Sequence, residues 1–111
     1  MTASSIRSPF RHAALHAADQ AALTKALHGL VHSAHARLIL FGSRARGDAG
    51  PFADIDLAIK ADGALAGDRL ALAREALEQS NIPFRVDLVD YATASAALRR
   101  AIDEEGIEWT V

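Results

Sequence analysis

Apolar residues recur along this chain in two different rhythms, and the alternation between them predicts its elements. From Ala13 to Ala34 the chain is rich in Ala and Leu, with Leu23, Leu27, Leu30 and Val31 at helical spacing. Ala36 to Phe41 is a short apolar run ended by Gly42, the pattern of a buried strand. Ser43 to Arg46 is long enough for one helical turn, closed by Gly47, and Asp48 to Ala53 contains Gly50-Pro51 and reads as loop. Asp54 to Lys60 then alternates, with Ile55, Leu57 and Ile59 on one face and Asp54, Asp56, Ala58 and Lys60 on the other. Asp68 to Ser80 carries Leu70, Ala73 and Leu77 on one stripe, with Asp68 as its expected N-cap. Phe84 to Asp90 is a third strand. Thr93 is the expected cap of a last helix bearing Leu98, Ala101 and Ile102, with Gly106 at its C′ position. Ile107, Trp109 and Val111 alternate in a short final strand. The pattern predicts a small α/β (α+β) domain, a mixed sheet with helices packed on one face.

The polar face of the second strand carries the chemistry. Strand side chains alternate, so Asp54 and Asp56 project together. Like charges held that close repel, and proteins usually tolerate them where cations sit between. Mg²⁺ takes hard oxygen ligands, often one or two carboxylates plus substrate phosphates. On the next strand Phe84, Val86 and Leu88 form the apolar face, which turns Asp87 toward the two aspartates if the strands are neighbours. Three carboxylates can hold two divalent ions about 3.5–4 Å apart, a clamp for in-line displacement. Asp90, of opposite parity, reads as a cap or surface residue.

Upstream, Gly42 lets backbone approach a ligand closely, and Ser43 opens a helical turn whose free N–H groups suit a triphosphate tail. Arg44 and Arg46 lie in the same loop as candidates to neutralise phosphate charge. A lone Gly-Ser carries no weight, and a lone Asp-x-Asp is often a solvated edge. The weight lies in their combination, ten residues apart and followed by an in-phase third aspartate.

Composition narrows the classes. The 111 residues suit one domain, expected over residues 13–111 behind an arm at 1–12, and short for a self-sufficient enzyme. A net charge of −2 gives no basic field, so direct nucleic-acid binding is not expected. With no cysteine, disulfides and thiolate chemistry are excluded. No apolar run approaches the ~20 residues of a membrane span, and the start lacks a signal-peptide core, so a cytoplasmic protein is expected. The pairs His12/His16 and His28/His32 have zinc-binding spacing but no acidic or cysteine companion, and read as helix-surface residues. Trp109 reads as a packing residue.

The segment from Gly42 to Ile59, GSRARGDAGPFADIDLAI, resembles the signature of the DNA polymerase β-like nucleotidyltransferase superfamily, specifically its stand-alone minimal nucleotidyltransferase (MNT) members. The similarity runs from ARLILF through FRVDLVD to IDEEGIEW; one departure is Ala53, where such proteins often place Ser. The resemblance implies a polymerase β-like fold, Mg²⁺ at Asp54, Asp56 and Asp87, and Gly42 and Ser43 on the triphosphate of ATP. It implies a HEPN-type helical RNase toxin as partner in a hetero-oligomer, silenced by AMP transfer to a tyrosine, with Asp87 as acceptor of the hydroxyl proton. Two other readings are a non-catalytic antitoxin that occludes its partner, with the Ala-rich first helix as docking face, and transfer to a small molecule of the aminoglycoside kind.

Overall fold

The computed structural model describes Leu15 and residues 17–109; the expected arm, His12, His16 and Val111 lie outside the described residues, as does the side chain of Trp109. In chain order the elements are α1 (Ala17–Ser33), β1 (Arg37–Phe41), α2 (Ser43–Arg46), β2 (Ile55–Lys60), α3 (Gly67–Glu78), β3 (Val86–Asp90), a 3-10 turn (Tyr91–Thr93), α4 (Ala96–Glu105) and β4 (Ile107–Trp109). They form one mixed sheet in the order β3-β2-β1-β4. β1 runs antiparallel to β2 and to β4, whereas β2 and β3 are parallel. A parallel pair needs a crossover, and α3 provides it.

The alternation read from the sequence sets the main core. Leu38, Leu40, Ile55, Leu57, Ile59 and Leu88 are buried on one face of the sheet against Leu23, Leu27 and Val31 of α1 and Ala73 and Leu77 of α3. Full burial of each such side chain contributes about 1.5–3 kcal/mol.

The opposite face differs from a purely polar one. Ile39, Phe41, Ala58 and Val89 lie there, and α4 covers them with Ile102 and Leu98. Helices α1 and α3 thus share the expected face, and α4 takes the other. The cause is the apolar half of that second face, next to β1, which needs a cover. Only its other half, at the start of β2 and on β3, stays polar.

Boundaries shift for local reasons. The strands begin one or two residues later than expected, at Arg37, Ile55 and Val86. Ala66, with no side-chain bond, is the N-cap of α3, and Asp68 sits inside the first turn. Ser95 caps α4 by accepting from the Leu98 N–H at 3.1 Å, while the Thr93 hydroxyl donates to the Asp90 carbonyl at 3.3 Å. Gly106 is extended (φ −66°) and passes directly into β4, so it is no left-handed C′ residue. Its value lies in close approach: a Cβ there would overlap the Ile102 carbonyl oxygen and the Ile39 side chain. Asp90 is buried, accepting from Leu65 N at 2.9 Å and Ala92 N at 3.1 Å. It is a cap, and not a surface residue.

Candidate active site

β1 ends at Phe41, paired with Asp56 of β2, and the chain then turns sharply through Gly42 (φ 78°, ψ −159°). Only glycine is comfortable at that backbone angle. A Cβ on Gly42 would also overlap the Asp56 carboxylate, so the turn lies directly against that acid. α2 is held by Arg46 N–H donating to the Gly42 carbonyl at 3.0 Å. It closes at Gly47 (φ 84°), whose N–H donates to the Ser43 carbonyl at 3.0 Å. The sequence expectation of one turn from Ser43 to Arg46 matches residue for residue.

Asp56 and Asp87 are register partners on β2 and β3, so both face the polar side, and Asp54 stands exposed just before β2. Neighbouring strands lie about 4.8 Å apart, which sets the two carboxylates side by side. Burial pushes the Asp56 carboxyl above its ordinary value, with the charges of Asp87 and then Asp54 adding to the shift; Arg46 and Arg85 oppose it. Among the described residues, none of these three carboxylates accepts a hydrogen bond. Nor are three of His, Asp or Glu gathered tightly enough there to hold an ion as they stand. The chemistry of the set, three hard-oxygen carboxylates on one polar face with no hydrogen-bond donor of the described chain on them, fits Mg²⁺. A groove of about 420 Å³ opens beside Asp87, lined by Phe84, Arg85, Arg74 and Leu77 among others.

The two arginines separate. Arg44 is buried, donating through Nε and Nη2 to the Ala53 carbonyl at 3.1 and 2.7 Å and lying over the Phe84 ring at 4.4 Å. It ties the loop before Asp54 to the fold, and so is placed as a brace where the sequence suggested a phosphate ligand. Arg46 is half exposed at the site and bonded to Asp48 Oδ2 at 3.1 Å and Glu105 Oε1 at 3.0 Å. Glu105 escapes a sequence reading, because only the pairing of β4 with β1 brings it to Gly42. The rings of His28 and His32 contact each other (centroids 4.1 Å apart) on the exposed side of α1, and join no metal-holding group among the described residues.

A mixed four-strand sheet with a Gly-Ser turn packed on paired carboxylates is the architecture of a nucleotidyltransferase. Residues 32–108 match the family model described as polymerase beta, nucleotidyltransferase, and the chain belongs to that family. It is 46% identical over 65 residues to the probable protein adenylyltransferase MntA of Haemophilus influenzae, across 56% of this chain and 54% of that protein. The chain therefore spans about half the length of that curated relative. Two solved structures are similar, each at 25% identity. One is a toxin–antitoxin with AMP-PNP (TM-score 0.62, 78% of this chain and 73% of that one). The other is a tri-AMPylated Shewanella oneidensis HEPN toxin in complex with MNT antitoxin (TM-score 0.58, 83% and 72%). Among the described residues no helix is long and apolar enough to cross a membrane.

Proposed function

We propose that this protein is a Mg²⁺-dependent nucleotidyltransferase that moves AMP from ATP to a tyrosine hydroxyl of a helical HEPN-type toxin, and so acts as its antitoxin. The observation that carries the reading is the in-register Asp56–Asp87 pair with the Gly42 turn packed against it. The relatives described above support the choice of nucleotide, acceptor and partner.

In this reading Asp54, Asp56 and Asp87 would hold Mg²⁺, which would neutralise triphosphate charge. The Gly42–Ser43 turn receives the phosphate tail, with Arg46 beside it. The acceptor hydroxyl, placed on the Asp87 side of the site, attacks the α-phosphorus. The bond from that phosphorus to the bridging oxygen breaks, pyrophosphate leaves, and the hydroxyl proton passes to Asp87. Most of the acceleration comes from positioning and electrostatics rather than covalent catalysis. A cytoplasmic location, where ATP is at hand, fits this reading.

Intact-mass spectrometry of the partner toxin, incubated with this protein and ATP·Mg²⁺, tests the proposal. A gain of one or more AMP units is expected, and the double variant Asp54→Ala/Asp56→Ala should abolish it. Full neutralisation by that variant without any mass gain would assign the antitoxin role to binding alone.

A further inference from the structure

Glu105 is the last residue of α4, two residues before β4 pairs with β1, and its side chain reaches the Gly42 turn. One of its carboxylate oxygens accepts from two donors at once: the Gly42 N–H at 3.2 Å and the Arg46 Nη1 at 3.0 Å. A backbone N–H and a guanidinium converging on one anionic oxygen is how proteins hold a phosphate oxygen. The Glu105 side chain is only 27% exposed, and Ile102, one turn earlier, is locked into the core against Phe41 and Ala58. The backbone at Glu105 is therefore anchored, and its carboxylate is held at the site by two hydrogen bonds, so that no covalent or core contact must break to release it.

We propose that Glu105 is an internal competitor for the triphosphate of the nucleotide, a proposal that rests on the nucleotide-site reading above. In the nucleotide-free protein its carboxylate takes the place of a phosphate oxygen on Gly42 and Arg46. Entry of a triphosphate displaces it, and departure of pyrophosphate lets it return. Arg46 keeps its second partner, Asp48, through Nε, so its Nη1 stays aimed at the site during the exchange. A partly exposed ion pair is weak enough to be displaced by a polyanion. A monophosphate competes less well than a triphosphate, so Glu105 sharpens the choice of substrate over AMP.

Calorimetric titration of the full chain with ATP·Mg²⁺ and with AMP, for wild type, Glu105→Gln and Glu105→Asp, tests this. Glu105→Gln should bind ATP about tenfold more tightly, the size of one charge-assisted hydrogen bond, with a smaller change for AMP. Glu105→Asp keeps the charge and should stay nearer wild type. Wild type binding ATP with Glu105→Gln no tighter, or tightened equally for AMP, would overturn the competitor and leave the nucleotide site standing. Failure of every form to take up ATP would overturn both. A readout that needs no variant is the NMR spectrum of the wild type. ATP·Mg²⁺ should shift the Gly42 amide and the Glu105 side-chain carboxyl together, and a Glu105 resonance unmoved at saturation would overturn the proposal.

Discussion

Asp56 and Asp87 stand directly opposite each other on adjacent parallel strands, two carboxylates in register on one face. Like charges so placed destabilise a sheet. The fold tolerates the pair at a cost visible in Asp56, whose carboxyl is raised from an ordinary value near 3.8 by burial and then by Asp87 and Asp54. A group raised in the folded state favours folding below its unfolded value, and that contribution is lost as pH rises through the folded value. In chelator, Asp56→Asn should therefore melt above wild type at neutral pH. The difference should close in acid below the ordinary carboxyl range. Thermal unfolding across that range checks it, and an Asn variant less stable than wild type at neutral pH would contradict it.

Asp87→Asn removes the proposed proton acceptor while leaving the shape of an exposed side chain that makes no hydrogen bond within the described chain. Single-turnover transfer should slow by about 10²–10⁴-fold, with the melting temperature preserved. An unchanged rate would remove Asp87 both as proton acceptor and as a Mg²⁺ ligand.

Gly42 and Gly47 both have positive φ, at 78° and 84°, but only a Cβ on Gly42 would meet another group, the Asp56 carboxylate. Gly47→Ala should cost about 1–2 kcal/mol, the left-handed penalty alone. Gly42→Ala should cost more and also weaken ATP binding. Denaturant unfolding of both variants measures the contrast.

Arg44 and Arg46, two residues apart, should behave oppositely. Arg44→Ala leaves the Ala53 carbonyl without its guanidinium and Phe84 without its cation. It should cost about 2–3 kcal/mol of stability. Arg46→Ala should leave the denaturation midpoint unchanged and reduce affinity for ATP. Equal stability losses in the two variants would refute the separation.

Period-two patterning made β2 and its two faces legible, because Ile55, Leu57 and Ile59 admit one orientation only. The same rule turned Asp87 outward correctly once β2 and β3 proved to be neighbours. The Gly42–Gly47 turn was legible because glycines bracket it. The rest depended on long-range packing. Arg44 looks like any loop arginine until Phe84, forty residues away, is brought beneath it. Glu105 lies far from Gly42 in sequence and meets it only through an edge pairing of three residues. α4 changed faces because Ile39, Phe41 and Val89 sum to an apolar patch no single strand reveals.

In the proposed site, Asp54, Asp56 and Asp87 converge on Mg²⁺ to hold the nucleotide beside the Gly42 turn. Calorimetric titration of ATP into wild type and Asp56→Asn, with Mg²⁺ and then with chelator, tests it most directly. Binding by wild type with Mg²⁺ only, and none by the variant, is expected. Equal affinity in chelator, or an Asn variant that binds as wild type does, would contradict it.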